Sequence, residues 1–141
     1  MINFDNFGIS KKYLEKSEKN NYSCLLDPRG ETLLRITAIL SQNDVMAISE
    51  NLKKLGVGGL TVSKERGRGK TPPPEIHAQK GSATFQPQFS QKYCVEVFVT
   101  EDKEEDVLTI IKKNSRRGKI LVEPISRAID IATGKEGEEV I

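Results

Sequence analysis

The segment Tyr93-Cys94-Val95-Glu96-Val97-Phe98-Val99 is the most strand-like part of the chain, because β-branched and aromatic residues dominate it. Such residues pack well on a pleated, half-buried surface. Alternation along the segment places Tyr93, Val95, Val97 and Val99 on one face. The segment therefore predicts a β-strand that covers a core with one face.

The flanking segments carry either the two-residue period of strands or the wider apolar spacing of helices. The first predicted elements are a strand over 33–40, a helix after Asn43 or Asp44 that ends at Gly56, and a strand over 60–64. A long loop follows. After it come the strand over 93–99, a helix after Thr100, and a strand over 120–123 that stops before Pro124. This βαββαβ order predicts an α+β, ferredoxin-like sandwich with two helices on one face of the sheet. Apolar positions remain on the other face, so we expect self-association into a trimer or dimer.

A glycine- and proline-rich segment over residues 67–92 separates the second strand from the third. Structureless connections longer than about 12 residues are uncommon in compact domains, and many are functional loops. We therefore expect the function to lie in this loop and at its base, with a merely disordered insertion as the alternative. Residues 1–31 are expected to form an N-terminal extension, docked or mobile, and residues 32–141 the folded domain.

Charge is nearly balanced over the 141 residues, with 22 Lys and Arg, 20 Asp and Glu and a formal net charge of +2. The whole molecule is therefore not a polyanion-binding surface, and any such role is local. Basic residues cluster in two places, which are Lys64, Arg66, Arg68 and Lys70, and Arg116, Arg117 and Lys119. Two basic clusters at loop bases favour an anionic ligand, although solvated side chains are the alternative.

The remaining composition argues against several classes of protein. Cys24 and Cys94 lack the spacing of a disulfide framework or a zinc ribbon. His77 is the only histidine and has no cysteine or carboxylate at ligand spacing, so we predict a protein that is not an enzyme, without catalytic residues or a metal. No signal peptide is recognisable, and no apolar run reaches the roughly 18 residues that span a bilayer, which predicts a cytoplasmic protein without membrane insertion.

The run Arg66-Gly67-Arg68-Gly69-Lys70 is typical of segments that follow phosphate backbones. It supports an alternative function, a nucleic-acid-binding accessory protein. The aromatic platform for such a role is thin, because Tyr93 and Phe98 fall on opposite faces of their strand.

Several short segments of the domain form a pattern through their order and spacing. They are Leu55-Gly56-Val57-Gly58-Gly59-Leu60-Thr61-Val62, Gly67-Arg68-Gly69-Lys70, Val95-Glu96-Val97-Phe98-Val99, Gly118-Lys119-Ile120-Leu121-Val122 and Ile129-Asp130-Ile131-Ala132-Thr133-Gly134. Together they resemble the PII signal-transduction proteins of nitrogen and carbon regulation. The resemblance spans residues 33–141 and implies the ferredoxin-like fold of that family.

This resemblance implies a homotrimer that binds a small effector in the clefts between subunits, at the base of a long T-loop formed by residues 67–92. The implied ligand is an adenine nucleotide or a small anion, and the implied partner of the loop is a target protein, an enzyme or transporter of nitrogen or carbon metabolism. By position, Gly67, Gly69 and Lys70 correspond to the loop base, Lys92 to a lysine used for 2-oxoglutarate, Glu96 to an adenine-side contact, and Lys119 to a phosphate-side lysine.

Other positions depart from the family pattern. The glycine-rich loop before the last strand is reduced to Arg116-Arg117-Gly118-Lys119, which removes backbone amides from a phosphate-binding nest. Asp130 and Ala132 stand where the family has arginines, and a carboxylate there repels a polyanion. Thr71 replaces the glutamine that bridges magnesium, and no tyrosine lies between residues 70 and 91.

These departures argue against ordinary sensing of ATP and 2-oxoglutarate. They predict an atypical member that binds another anion, or a nucleotide with fewer phosphates, or no ligand. In the first two cases, the compensating cations would be Arg66, Arg68, Arg116 and Arg117.

Overall fold

The computed structural model of the chain describes residues 32–77, 81 and 83–141. The expected N-terminal extension, residues 1–31, lies outside the described residues. In chain order the elements are β1 (Leu33–Leu40), α1 (Val45–Lys54), β2 (Leu60–Gly67), β3 (Ile76–His77), β4 (Thr84–Phe85), β5 (Ser90–Thr100), a 3-10 turn (Glu101–Lys103), α2 (Glu104–Asn114), β6 (Gly118–Ile125) and a second 3-10 turn (Glu138–Val140). The predicted order of four long strands and two helices is confirmed.

Four strands form one sheet in the order β2-β5-β1-β6, and every neighbouring pair is antiparallel. The two centre strands are β1 and β5, which pair from Leu33 opposite Thr100 to Leu40 opposite Tyr93. This is the ferredoxin-like α+β fold that the sequence predicts. The segment over 93–99 therefore occupies the middle of the sheet.

The core lies between this sheet and the two helices, on one face of the sheet. Each helix contributes two fully buried side chains to it, Ile48 and Leu52 from α1 and Val107 and Ile111 from α2. The strands contribute alternate residues, which are Leu34, Ile36, Ala38, Leu40, Val95, Val97 and Val99. Burial of each of the larger side chains stabilises the fold by about 1.5–3 kcal/mol.

Local signals end the first helix as predicted. Gly56 has φ +86°, a left-handed conformation that glycine adopts without a steric penalty. Its N–H donates to the carbonyl of Lys53 (3.1 Å), and the N–H of Val57 donates to the carbonyl of Leu52 (3.0 Å). Asp44 occupies the N-cap position, but its side chain makes no capping hydrogen bond.

The long loop is shorter than predicted and is not structureless. Residues of β2 and β5 pair in continuous register as far as Gly67 opposite Ser90, because the paired backbone groups satisfy one another. The loop therefore covers residues 68–89 rather than 67–92, and Arg66, Gly67 and Lys92 belong to strands. Within the loop, Ile76 pairs with Phe85 and His77 with Thr84 to form the small β3–β4 pair.

The last strand also differs from its predicted bounds. Pro124 lies inside β6, opposite Leu34, and the strand continues to Ile125. β6 is an edge strand, with β1 as its one neighbour in the sheet. Proline has no backbone N–H, and an edge strand tolerates it because no second strand needs that hydrogen bond.

The sheet face that the helices do not cover is called the open face below. Strand alternation places on it Arg35, Thr37, Ile39, Thr61, Ser63, Glu65, Lys92, Cys94, Glu96, Phe98, Lys119, Leu121 and Glu123. Phe98 and Leu121 are large apolar side chains on this face, and they are 37% and 46% exposed. Apolar positions therefore do remain on the second face of the sheet.

Candidate functional site

The root of the long loop is the last paired position of β2 and β5. The hydroxyl of Ser90 lies 3.5 Å from the carbonyl oxygen of Gly67, at the limit of a hydrogen bond. The loop that leaves this position carries the exposed β3–β4 pair. The root is therefore continuous with the first and last residues of the loop.

Lys92 lies across Gly67 at this root. A Cβ atom on Gly67 would be 3.4 Å from Lys92 Cγ and 4.0 Å from Lys92 Cε, so the aliphatic stem of the lysine runs over the glycine. The ammonium Nζ of Lys92 donates to the hydroxyl of Ser41 at 3.3 Å. Ser41 follows directly after β1, so this contact joins the end of β1 to the root of the loop.

The basic turn before β6 meets β1 at the same end. The N–H of Ser41 donates to the carbonyl of Arg117 at 3.2 Å, and the hydroxyl of Ser115 donates to the same carbonyl at 3.4 Å. Gly118 has φ +154°, and a Cβ atom there would lie 2.2 Å from the carbonyl oxygen of Ile39. Only glycine allows the turn to approach β1 this closely.

We call the group formed by Ser41, Gly67, Lys92, Arg117 and Gly118 the basic junction. It brings the loop root and the turn over 115–118 together at one end of the sheet. Within the described part of the chain, the recorded ion pairs do not include Lys92 or any basic residue of the turn and loop. The junction can therefore offer cationic side chains to an anion.

The other predicted residues are more dispersed. Arg66 points to the helix side of the sheet, opposite Gln91, and with Lys64 and Glu65 it lines a surface pocket. Arg68, Gly69 and Lys70 begin the loop, Arg116 lies in the exposed turn, and Lys119 lies on the open face opposite Ile39. Gly69 has no atom within 4 Å of a Cβ position, so it makes no close approach.

Glu96 is engaged within the protein. Arg35 lies 3.9 Å from it and is bound more closely by Glu123, whose Oε2 accepts a hydrogen bond from Arg35 Nε at 2.9 Å. The hydrogen bond and the charge of Glu123 raise the pKa of Arg35, with a smaller contribution from Glu96. Glu96 of β5, Arg35 of β1 and Glu123 of β6 therefore form one charged group across three neighbouring strands of the open face.

A cleft of about 270 Å³ lies at the opposite end of β5. It is bounded by the glycine-rich turn after α1, by the end of β5 and by the C-terminal residues, and the lining residues include Gly58, Gly59, Phe98, Lys103 and Ile141. Sequence patterns did not predict it, because the Gly56-Val57-Gly58-Gly59 run indicates the end of a helix and contributes to the family resemblance without indicating a cleft. A second sequence feature at this cleft is Phe98, an exposed aromatic residue on a central strand.

Asp130, which replaces a family arginine, has a structural role in the turn of a C-terminal hairpin. Its carboxylate accepts hydrogen bonds from the backbone N–H of Thr133 (2.7 Å) and from the Thr133 hydroxyl (2.8 Å). These bonds lower the pKa of Asp130, so it carries a negative charge at neutral pH. The hairpin is also held by the Ile129–Glu136 bridge and by the Arg127–Glu136 ion pair.

Neither a metal cluster nor a membrane helix is found in the described ranges. No group of three or more His, Cys, Asp or Glu residues there is arranged to hold a metal ion. No helix among the described residues is long and apolar enough to cross a membrane. Ser41 is the junction residue that the sequence did not predict, because its contact with Lys92 depends on the register of β1 against β5.

Comparison with known proteins agrees with this architecture. A nitrogen regulatory protein P-II homolog of Arabidopsis thaliana is 33% identical over 111 residues, which cover 74% of this chain and 56% of the relative. The nitrogen regulatory protein P-II of Cereibacter sphaeroides is 30% identical over 118 residues, covering 76% of this chain and 98% of the relative. The crystal structure of Arabidopsis thaliana PII bound to citrate has a TM-score of 0.61 at 30% identity, covering 78% of this chain and 92% of that one.

This chain spans about half the length of the two plant homologs and nearly all of the bacterial relative. The relatives are named as regulatory proteins, in agreement with the expectation of a regulator rather than an enzyme, and none of them supports the nucleic-acid alternative. A family model described as nitrogen regulatory protein P-II matches residues 33–135, a range that contains every long strand and both helices. The chain belongs to the nitrogen regulatory protein P-II family.

Proposed function

We propose that this chain is a PII regulator that binds a small anionic effector between the protomers of a homotrimer and controls a target protein through the loop over 68–89. The basic junction is the observation that carries the proposal. The loop has its root where Lys92, Ser41 and Arg117 meet, so an anion bound there acts on the loop without any chemical step. The mechanism is a shift between loop conformations, driven by the difference in affinity of the anion for each.

A carboxylate or phosphate group fits the junction chemically. Lys92 reaches Ser41 with one N–H donor and retains further donors, and the exposed Arg117 side chain adds a guanidinium. Charge-assisted hydrogen bonds of this kind are about twice as strong as neutral ones. Citrate, the ligand of the Arabidopsis PII structure, is an anion of the proposed class.

An adenine nucleotide is the second ligand class that we propose. In a trimer the cleft beside Phe98 and Gly58 would be available to a flat apolar ring, since clefts of this kind combine apolar walls with a few polar groups. The fixed negative charge of Asp130 disfavours a triphosphate wherever the C-terminal hairpin approaches the ligand. We therefore expect a di- or monophosphate, or a carboxylate, to bind more tightly than ATP.

The loop supplies a contact surface for the target. Ile76 and Phe85 face each other across the β3–β4 pair, and they are 57% and 66% exposed. Exposed apolar side chains on a projecting element are typical of protein contacts. We propose a target in nitrogen or carbon metabolism, an enzyme or a transporter, that binds this pair, and a cytoplasmic location for the complex.

Calorimetry and hydrogen exchange test the proposal together. Wild-type protein is titrated with citrate, 2-oxoglutarate, ATP, ADP and AMP, and exchange of the loop amides is measured with and without each ligand. We expect heat for at least one ligand, with slower exchange over residues 68–89. Loss of the charged hydrogen bonds in Lys92→Met should weaken that binding about tenfold or more.

The matched control is Lys64→Met. Lys64 is a lysine of the same sheet, but it is exposed and points to the helix side, with its ammonium 6.0 Å from the ring centre of Tyr93. Its removal should leave the affinity unchanged. Absence of heat for all five compounds, together with unchanged exchange of the loop, would refute the proposed function.

A further inference from the structure

Ser41 makes two hydrogen bonds that connect different elements of the basic junction. Its side-chain oxygen accepts from the ammonium of Lys92 in β5 at 3.3 Å, and its backbone N–H donates to the carbonyl of Arg117 in the turn before β6 at 3.2 Å. The residue itself follows directly after Leu40, the last residue of β1. One small residue therefore contacts β5 and the turn that leads into β6, at the end of the sheet where the loop starts.

The hydrogen bond to the Ser41 hydroxyl fixes the ammonium of Lys92, whereas the other contacts of the junction do not. A lysine side chain loses rotamer entropy when it is fixed, so a lysine whose ammonium has no polar partner is normally mobile. Gly67 offers only van der Waals contact to the stem of Lys92. The Ser41 oxygen is the polar partner that the described residues provide for the head of this side chain.

The hydroxyl also retains its own proton. A serine oxygen that accepts from an ammonium can still donate its O–H to another acceptor. An anion beside Lys92 would then receive one hydrogen bond from the lysine and one from the serine. A serine at this position thus both orients the cation and adds a donor.

We propose that Ser41 is a positioning residue, which holds Lys92 at the loop root and links it to the Arg117 turn, so that an anion at the junction is sensed by both flanking strands. This inference rests on the proposed function for its ligand, but not for the placement of Lys92. Ser41→Ala removes the hydroxyl and leaves the backbone bond to Arg117 intact.

The first measurement needs no ligand. Motion of the lysine ammonium groups is followed by NMR relaxation in wild-type protein, in Ser41→Ala and in Ser41→Thr, with Lys64 as the internal reference. We expect the order parameter of the Lys92 ammonium to fall by roughly half in Ser41→Ala. It should stay near the wild-type value in Ser41→Thr, which keeps a hydroxyl. Equal Lys92 motion in the wild type and Ser41→Ala would overturn the inference.

The second measurement is a double-mutant cycle on citrate binding. Ser41→Ala should weaken citrate binding about fivefold in the wild-type background and leave it unchanged in a Lys92→Met background, because the serine acts through the lysine. Ser115→Ala is the matched control, since it removes a hydroxyl bond to Arg117 and does not touch Lys92. Equal losses in both backgrounds would overturn the inference.

The two measurements separate the two proposals. If neither citrate nor the other anions bind to wild-type protein, the proposed function fails and the relaxation result alone decides whether Ser41 positions Lys92. If anions bind but the relaxation and the cycle show no coupling, the function stands and the role of Ser41 is refuted.

Discussion

Two glycines at the basic junction have different physical roles. Gly67 would bring an added Cβ to 3.4 Å from Lys92 Cγ, an ordinary contact with a flexible side chain. Gly118 would bring it to 2.2 Å from a backbone carbonyl, with φ in a region that other residues rarely adopt. The turn before β6 therefore requires glycine at residue 118, whereas the loop root does not require it at residue 67.

Substitution of Gly118 tests this difference at the level of one methyl group. Because the neighbouring atom belongs to the backbone of β1, Gly118→Ala must shift a central strand or the turn. We expect a loss of about 3 kcal/mol in the free energy of unfolding, measured with a chemical denaturant. Gly69→Ala is the control, since nothing lies within 4 Å of its Cβ position, and it should change stability by less than about 0.5 kcal/mol. Equal effects of the two substitutions would contradict the close approach at Gly118.

At the scale of elements, two ionised carboxylates contribute to the C-terminal hairpin beside its backbone hydrogen bonds. Hydrogen bonds from Thr133 lower the pKa of Asp130, and the hydrogen bond from Arg127 lowers the pKa of Glu136. A carboxyl group with a lowered pKa in the folded state stabilises that state above its unfolded pKa, about 3.9 for Asp and 4.3 for Glu. The contribution is lost as the pH falls through the lower folded value.

We therefore predict that the hairpin loosens in acid before the sheet does. Amide exchange at Gly134 and Gly137, whose N–H groups donate to the backbone carbonyls of Asp130 and Ala128, should accelerate as the pH falls below about 4, after correction for intrinsic rates. Asp130→Asn should make exchange at Gly134 faster at pH 7 and remove most of its acid dependence. Exchange that stays constant relative to the centre of β1 across this range would contradict the prediction.

The apolar side chains of the β3–β4 pair are exposed, whereas most of those on the helix-covered face of the main sheet are buried. Ile36 of β1 is fully buried, whereas Ile76 of β3 is largely exposed. We expect Ile36→Ala to lower the free energy of unfolding by about 3 kcal/mol and Ile76→Ala by less than about 0.5 kcal/mol, in denaturant titrations of both variants. A large loss from Ile76→Ala would show that the pair packs on the domain and is not available to a target.

At this scale, the correct predictions rest on patterns formed by residues that are neighbours in the sequence. The strands over 93–99 and 33–40 and the helix that ends at Gly56 carry their signals within a few residues, and the resemblance added Lys92 and Glu96 to the candidate site. The ends of the loop were wrong because they depend on how far β2 pairs with β5. Ser41 was not predicted for the same reason, since only register brings it to Lys92. The cleft beside Phe98 requires the C-terminal residues to fold back, which no local pattern indicates.

At the scale of the whole molecule, we propose that copies assemble through the open face. On this face, Arg35 forms ion pairs with Glu96 and Glu123 within one copy. Exposed ion pairs contribute only about 0–1 kcal/mol each, so the driving force for assembly must come from the apolar residues beside them. Leu121 and Phe98 are the large apolar side chains available for that purpose.

Leu121→Lys should therefore dissociate the proposed homotrimer. A lysine at the centre of a packed interface leaves a charge without water or a partner, which costs several kcal/mol in each of the three copies. In light scattering after size-exclusion chromatography, we expect wild-type trimers and Leu121→Lys monomers at micromolar concentration, with unchanged secondary structure by circular dichroism. Met46→Lys is the matched control, because Met46 is 70% exposed on α1, on the side of the sheet away from the open face, and should leave the trimer intact. A Leu121→Lys protein with the wild-type mass would exclude the open face as the interface, whereas a monomeric wild-type protein would remove the assembly on which the inter-subunit cleft depends.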